Sequence, residues 1–476
     1  MKKVFSVVIV LLFLAAAVFA GTTFWFGMQT QQQYLDILHL ANESYDRGLL
    51  KSKARTTVKI RDLGGGKEPE DIVGFTMIHD IRHGPLPLGE SPDGERQLKP
   101  VLAIIETRIE LSPETQAELK KTFGELPEIA SMKNYTTLSL GGDGETLLNI
   151  PAFHQTVEKD KKVAVDWKGL TANMAFTSDL KKFTGSLNAP GLRAAGDDGE
   201  LEINGLACTF DSYEGIKGLF LGNASFDLAS LEFAEKKTGE KKQFSINGLK
   251  MKTSSQALTD TVNYSVTARI DRVMTKDTLY GPGVCELEFR KLDAASLAKL
   301  QQVFQELQAQ FPQRSVEEIN QMMVAKYAEI LPGLIKESPE IEVAQLSLKT
   351  SDGDFLGKAK IVIDGTNAAA MINPLFLLSA VTAHAEFTIT DLLLQRIHES
   401  SRRKEITAAI EQGTRDPLND EEIKALAASE GKKRLEALVA QNILIYEDGH
   451  YKASADYEQG RIILNGRPLA LQDLLK

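Results

Sequence analysis

This chain of 476 residues has little cysteine and no excess of positive charge. Two cysteines, Cys208 and Cys285, are too few for a disulfide scaffold or a four-cysteine metal site. They leave two interpretations open: one disulfide closing a long loop, or two small buried apolar side chains. Lysine and arginine total 55 against 65 acidic residues, a net charge of −10. Because nucleic acid is bound mainly through cations that displace phosphate counterions, this balance predicts no nucleic-acid partner.

Long apolar runs are absent too, with one exception at the N-terminus. Lys2 and Lys3 precede an uncharged, mainly apolar run over residues 4–28, and the first acidic residue is Asp36. About 20 helical residues span a bilayer core, so this run predicts a single-pass membrane helix with its N-terminus in the cytoplasm. A signal peptide cleaved after Ala20 is the alternative. Both interpretations export the rest of the chain.

Sequence motifs of catalysis and cofactor binding are missing as well. No serine lies in a Gly-x-Ser-x-Gly elbow, and the glycines at 64–66 lack the Gly-Lys-Ser/Thr of a phosphate loop. His79 and His83 lie in a strand-like segment, where four residues span about 13 Å, too far for one metal ion. Glu106 and Glu110 have the same spacing, too wide for a glycosidase pair. The sequence therefore predicts a protein that is not an enzyme, with no cofactor and no metal site.

Alternation of apolar and polar residues dominates the chain after residue 50. It is clear over residues 54–61 and 101–111, and it predicts strands there. Between residues 134 and 290 shorter runs are separated by turn signals, which predicts a series of hairpins. The proposed turns are Gly141-Gly142-Asp143-Gly144, Gly196-Asp197-Asp198-Gly199, Asn204-Gly205 and Asn247-Gly248. The residues around the two Asn-Gly pairs resemble each other, so either a strand unit repeats or a common turn pair recurs.

Helical patterns lie before the first strand and in the last third of the chain. They predict helices over residues 29–50, 293–307, 315–331, 367–381 and 397–438, the last broken near Pro417. A hairpin at Asp448-Gly449 and a strand ending at Asn465-Gly466 close the chain. The prediction is an α+β fold with a single N-terminal transmembrane helix, a large antiparallel β-sheet built of hairpins, and a helix-rich C-terminal region closing with a β-hairpin. Its regions are 1–28 (anchor), 29–290 (β-rich, extracytoplasmic) and 291–476 (α/β).

Five short segments, at 45–54, 81–86, 167–170, 292–294 and 463–468, follow one another in an order that resembles a known family. The residues that carry this pattern are Tyr45, Arg47, Gly48, His83, Gly84, Pro85, Trp167, Gly169, Asn465 and Gly466. The set resembles the YdgA/YihF-like family of bacterial envelope proteins over nearly the whole chain. The resemblance implies an inner-membrane protein with its bulk in the periplasm. It implies no activity and no catalytic residues. The family often has an aromatic residue where this chain has Leu49 or Leu50.

The apolar character of the predicted sheet suggests two functions. Residues 101–105 are apolar on both faces, so this part must be covered or must hold something apolar. We expect a binding module for lipid or another hydrophobic ligand, provided that Phe176, Phe244 and Tyr264 do not fill the inner face. The alternative is a structural or adaptor protein of the cell envelope that acts through protein contacts, including as a homo-oligomer.

Overall fold

The computed structural model describes residues 42–61, 71–85, 100–111, 133–158, 162–237, 240–275, 278–310, 316–372, 374–458 and 460–469, with isolated helical positions between 113 and 120. The predicted membrane segment, residues 4–28, lies outside the described residues. Among the helices of the described part, none is long and apolar enough to cross a membrane. The chain divides into two compact units, residues 1–252 and 253–476.

The first unit is an antiparallel sheet. Its strands are β1 (Asn42–Arg47), β2 (Lys51–Arg61), β3 (Asp71–His83), β4 (Ala103–Leu111), β5 (Lys133–Leu138), β6 (Gly144–Ile150), β7 (Phe153–Glu158), β8 (Lys162–Trp167), β9 (Leu170–Phe176), β10 (Lys182–Gly196), β11 (Gly199–Glu214), β12 (Phe220–Lys237) and β13 (Glu240–Ala257), the last crossing the boundary between the units. Each strand from β1 to β5 pairs with the next one along the chain. The sheet continues from β6 to β9, β10, β11 and β12, and the hairpin β7–β8 pairs with the second half of β10.

A line of phase shifts crosses this sheet. In a regular strand, every second residue points to the same face. At four neighbouring places in the sheet the spacing between apolar core residues is three instead. These steps run from Ile150 to Phe153, Trp167 to Leu170, Ala189 to Leu192 and Ile203 to Leu206. These residues all belong to one core. The alternation therefore switches at this line, so that inward-facing positions change from even to odd residue numbers or the reverse. We call it the phase-shift line.

Glycine and proline make the phase-shift line possible. Gly169 has a φ of +92° and Gly205 a φ of +60°, which only glycine adopts without strain. Pro151 and Pro190 stand at the same line in the neighbouring strands, and proline lacks the N–H that a regular ladder would use. Asn204-Gly205 therefore lies inside β11, and Asn247-Gly248 lies inside β13 with a φ of +64° at Gly248. The prediction of turns at these two pairs was wrong, because left-handed glycine serves a mid-strand irregularity as well as a turn.

The described residues of the second unit form antiparallel strands, called the second sheet below, together with five α-helices and one 3-10 helix. The elements are β14 (Thr261–Ile270), β15 (Arg272–Thr275), β16 (Thr278–Asp293), α1 (Ala294–Gln310), α2 (Val316–Ile335), β17 (Glu340–Thr350), β18 (Gly353–Ile363), α3 (Ala368–Ile372), a 3-10 helix (Pro374–Ala380), β19 (Val381–Thr390), α4 (Asp391–Glu411), α5 (Asp420–Ala440), β20 (Ile445–Glu447), β21 (His450–Glu458), β22 (Arg461–Leu464) and β23 (Arg467–Leu469). The strand order is β14-β16-β17-β18-β19-β21. β15 pairs with the start of β16, β20 and β22 share the outer edge of β21, and β23 pairs with β22.

Side-chain caps fix where the helices of this unit begin. The Asp293 carboxylate accepts from the Ser296 N–H at 2.8 Å, so α1 starts where the sequence predicts. Asn419 and Glu422 form a reciprocal capping box at the start of α5. The predicted break near Pro417 is confirmed, because it separates α4 from α5.

The large antiparallel sheet and the α+β character of the fold are confirmed. The predicted helix over 29–50 is wrong from residue 42 onward, and its earlier part lies outside the described residues. Asn42–Arg47 is strand β1, with Tyr45 opposite Ala54 of β2. A short helical stripe is a weak local preference, and pairing with the strongly alternating β2 overrides it.

Candidate functional site

One face of the second sheet is apolar across four adjacent strands. Cross-strand register places Leu348, Phe355, Ile389 and Tyr451 in one row, and Ile341, Ile361, Ala383 and Tyr457 in another. Because alternate residues share a face, the rows between them belong to the same surface. We call this surface the apolar face; its members are Ile341, Val343, Leu346, Leu348, Phe355, Ala359, Ile361, Ile363, Ala383, Ala385, Phe387, Ile389, Tyr451, Ala453, Ala455 and Tyr457.

Helices cover the two ends of the apolar face. Leu393 of α4 and Leu435 of α5 pack in one cluster with Ile389 and Tyr451 at one end. At the other end, Ile363 packs against a cluster that includes Ile335 of α2. Between these ends the face stays open, because Ile341, Leu346 and Ile361 are 36%, 41% and 38% exposed. Neighbouring apolar side chains that are exposed to this extent form a hydrophobic surface patch.

The opposite face of the same sheet is charged. Arg290 donates to Glu342 at 2.8 Å and also contacts Glu288. Lys291 and Lys360 lie 2.5 Å and 2.9 Å from the carboxylate of Glu340. These two hydrogen-bonded lysines lower the pKa of Glu340 to about 2. The charges balance one another, as expected of a solvated face with no ligand of its own.

Substituting Glu340 with glutamine tests this network. Its carboxylate has a folded pKa near 2, below the ordinary 4.5, so the stabilisation is present above pH 4.5 and is lost as pH falls towards 2. We expect Glu340→Gln to lower the free energy of unfolding by about 1–2 kcal/mol at pH 7, since solvent screens the partly exposed lysines. The difference from the native protein should shrink below pH 4.5. Thermal melts followed by circular dichroism at pH 7, 4 and 3 measure it.

The control for this experiment is Glu458→Gln. Glu458 is exposed on β21 and makes no ion pair with the residues that the structure describes. The Glu458→Gln variant should have the melting temperature of the native protein, within error, at every pH. An equal effect of the two substitutions would contradict the role assigned to Glu340.

Six of the family-pattern residues meet at the start of the first sheet. His83 ends β3 beside the turn between β1 and β2, with its N–H donating to Leu50 at 2.9 Å. Its Nε2 lies 2.7 Å from Oγ of Ser52. Gly84 donates to the Leu102 carbonyl at 2.7 Å, and the Pro85 carbonyl accepts from Val101 at 2.9 Å. The other members are Tyr45 and Arg47, exposed on β1, and Gly48, which follows it.

The contact between Ser52 and His83 has the composition of a nucleophile and its base. Ser52, however, is only 2% exposed, so its hydroxyl is closed to a substrate. Among the described residues, no carboxylate bonds to the other ring nitrogen of His83. The arrangement therefore fits a structural clamp between β2 and the end of β3.

The remaining family-pattern residues serve two other structural features. Trp167 and Gly169 lie at the phase-shift line, where Trp167 is 5% exposed. Asn465 and Gly466 form the turn between β22 and β23 with φ values of 49° and 78°. The Asn465 side chain accepts from the Ser454 N–H at 2.9 Å and donates to the carbonyls of Asn442 and Ile443. The structure thus gives these residues scaffold roles.

Two other residues that the sequence singles out lie where the apolar face continues onto β16 and β14. Cys285 of β16 stands opposite Leu346, and Tyr264 of β14 stands opposite Phe289, the partner of Ile341. His79 bonds to Oγ1 of Thr107 at 2.8 Å on strand β3, and burial lowers its pKa. Both cysteines are free. Phe176, Phe244 and Tyr264 are all partly buried, and the Phe176 ring occupies the space beside Gly144. Within the described part of the chain, no three His, Cys, Asp or Glu side chains are placed to hold a metal ion.

Sequence reasoning missed the open part of the apolar face. The alternation over residues 341–348 is visible, but β17 carries an irregularity between Val343 and Leu346 that shifts its phase. Without the register, Leu346 falls out of step with Ile341. A pattern search that allows one inserted residue would have placed Ile341, Val343, Leu346 and Leu348 on one face.

Comparison with known proteins gives a family for this chain but no function. Residues 1–472 match the model of a family described as "Bacterial protein of unknown function (DUF945)". The chain is 22% identical over 467 residues to Protein YdgA of Escherichia coli (strain K12), a match that covers 92% of this chain and 86% of that protein. No solved structure matches. The match confirms the resemblance seen in the sequence, and the chain belongs to the DUF945 family of bacterial proteins.

Proposed function

We propose that this protein is a non-enzymatic binding module that holds a hydrophobic ligand, with lipid as its expected class, on the apolar face. The observation that carries the proposal is the open middle of that face, where Ile341, Leu346 and Ile361 stay exposed between two helical covers. Leaving apolar surface in water costs about 25 cal/mol per Å². A ligand that covers this surface would recover that free energy.

The asymmetry of the sheet supports this proposal. An antiparallel sheet commonly turns one face to water and one to a core. Here the water-facing role belongs to the charged face with Arg290 and Glu340, so the apolar face is the one expected to be covered. α4 and α5 cover one end, and α2 and α3 cover the other, which leaves room in the middle for an elongated apolar group.

A membrane anchor is part of the proposal. The apolar run over residues 4–28, preceded by Lys2 and Lys3, would hold the chain in the bacterial inner membrane with its bulk in the periplasm. A tether of this kind would keep the binding face close to a source of lipid.

The test compares two leucines on opposite faces of the same sheet. Leu346 lies on the apolar face, whereas Leu356 of β18 lies on the charged face with a similar exposure of 46%. The full-length native protein should bind cis-parinaric acid and retain copurified lipid. Leu346→Lys should weaken binding by about tenfold or more, because it places an ammonium among apolar groups. Leu356→Lys should bind like the native protein.

Two measurements decide the outcome: fluorescence titration with cis-parinaric acid, and mass spectrometry of lipid extracted per mole of protein. The proposal would be overturned if the native protein binds no ligand in the titration and carries no lipid in the mass spectrum. So would equal binding by the two leucine variants, since detergent carry-over affects both alike.

An adaptor function is the second candidate. Strand β1 pairs only with β2 among the described strands, and its described side chains are exposed. An open strand edge can accept a strand from another chain. A photocrosslinking residue introduced at Tyr45 in living cells should then trap a partner or a second copy. Recovery of uncrosslinked monomer alone would count against this function.

A further inference from the structure

Four exposed leucines gather at one end of the first sheet. They are Leu49 and Leu50 in the turn between β1 and β2, Leu102 just before β4, and Leu140 in the turn between β5 and β6. Leu49 is 94% exposed, and the other three are at least half exposed. Among the residues that the structure describes in the first unit, Leu147 is the only other exposed leucine. Single exposed leucines are common on proteins, but a group of them marks an interaction surface, which we call the leucine end.

Backbone hydrogen bonds hold the three segments of the leucine end side by side. The N–H of His83 donates to the carbonyl of Leu50 at 2.9 Å. The N–H of Gly84 donates to the carbonyl of Leu102 at 2.7 Å, and the N–H of Leu102 donates to the carbonyl of Leu138 at 2.8 Å. Since neighbouring strands lie about 4.8 Å apart, the four leucines fall within about 20 Å along the end of the sheet. They therefore form one surface.

Two cations flank the most exposed leucines. Arg47 ends β1 directly before the turn, Lys51 begins β2 directly after it, and both side chains are exposed. Basic side chains beside an apolar surface can stay at the level of lipid headgroups while the apolar groups enter the acyl region. Anionic lipid attracts such cations further. The leucine end therefore fits the surface of a bilayer that contains anionic lipid.

The position of the proposed anchor also favours a bilayer as the occupant. The apolar run ends at residue 28, and β1 begins at Asn42. The 13 residues between them reach at most about 45 Å. β1 spans about 20 Å, so Asn42 would stand about 20 Å above a membrane that the leucine end touches. The link is long enough for this arrangement and too short to carry the first sheet far from the membrane.

We propose that the leucine end docks on the periplasmic leaflet of the membrane that holds the anchor. Leu49 and Leu50 enter the acyl region, and Arg47 and Lys51 lie among the headgroups. This inference rests on the anchor in the proposed function, and it is independent of the apolar face of the second unit. Docking would fix the orientation of the first sheet on the membrane, which a flexible tether alone does not do.

The experiment measures how deep single positions of the full-length protein lie in a bilayer. Cys208 and Cys285 are replaced by serine, and one new cysteine is labelled with the fluorophore NBD. Leu49→Cys and Leu140→Cys report on the leucine end. Asn149→Cys is the matched control, because Asn149 is exposed near the opposite end of β6, about 17 Å along the strand. Circular dichroism checks that each labelled protein is folded.

The labelled proteins are reconstituted into liposomes of phosphatidylcholine and phosphatidylglycerol, with and without nitroxide-labelled phosphatidylcholine. We expect NBD at positions 49 and 140 to emit at shorter wavelength than at position 149. The nitroxide lipid should quench positions 49 and 140 and leave position 149 unquenched, because a nitroxide in the acyl chain quenches only nearby fluorophores.

Three results would overturn the proposal. Equal quenching at positions 49 and 149, whether strong or absent, would refute docking while leaving the anchor intact. A blue shift at position 49 without quenching would show that protein covers the leucines in place of lipid. Protein that does not float with the liposomes would refute the anchor and the docking together. Binding of cis-parinaric acid is measured separately, so failure of the apolar face is distinguished from failure of the leucine end.

Discussion

Replacing Gly84 with alanine is expected to lower the free energy of unfolding of the first unit by more than about 3 kcal/mol. An alanine Cβ at this position would lie 1.7 Å from the carbonyl oxygen of Val101. The backbone cannot move away freely, because hydrogen bonds on both sides hold it to Val101 and Leu102. Urea denaturation of the full-length protein, followed by Trp167 fluorescence, measures the loss.

The matched control is Gly141→Ala, in the turn between β5 and β6. There the nearest atom to an added Cβ is Oγ of Ser139 at 3.7 Å, which is an ordinary contact. This variant should stay within about 0.5 kcal/mol of the native protein. If Gly84→Ala proved as stable as Gly141→Ala, the tight approach of β3 to residue 101 would be wrong.

Replacing Asn465 with alanine is expected to destabilise the end of the second unit by about 3–4 kcal/mol. The substitution removes three side-chain hydrogen bonds, each contributing about 1 kcal/mol. It also places alanine at a φ of 49°, a left-handed conformation that costs a further 1 kcal/mol or so. Hydrogen exchange measured by mass spectrometry should show faster exchange in peptides covering β21, β22 and the end of α5.

Asn465→Gly separates the two causes. Glycine adopts the left-handed conformation freely but makes none of the side-chain bonds. It should therefore lose about 2–3 kcal/mol, less than the alanine variant by roughly 1 kcal/mol. Equal losses in both variants would show that backbone conformation contributes nothing at this turn. Native-like exchange in both would refute the stabilising role of the Asn465 side chain.

The sequence is a good guide to the elements of this fold where its signals are local. Alternation over residues 101–111 predicts β4 with the correct faces, since Thr107 is buried and Arg108 exposed. Asp293 marks the start of α1, and Asp448-Gly449 marks the hairpin between β20 and β21. These signals depend on neighbouring residues alone, which is why they can be recognised without a structure.

Signals that depend on distant pairing were misinterpreted. Asn204-Gly205 has the composition of a hairpin turn, and only the pairing of Asn204 with Gly191 and Ser230 on the adjacent strands shows that it lies inside a long strand. Strand β1 likewise owes its conformation to β2 and not to its own residues. The candidate ligand site has the same origin, because Ile341 and Ile361 become neighbours only through the register of β17 and β18.

The phase-shift line limits how the first sheet can assemble. In a uniformly alternating sheet, a strand that slips by two residues keeps its apolar side chains on the correct face. Here Trp167 and Leu170 lie on either side of a step of three, opposite equal steps in the neighbouring strands. A slip of two residues would move one strand's step out of line and turn some of its apolar residues towards water. The line therefore selects one register among those that alternation alone would permit, and it protects long strands such as β10 and β11 from pairing out of step.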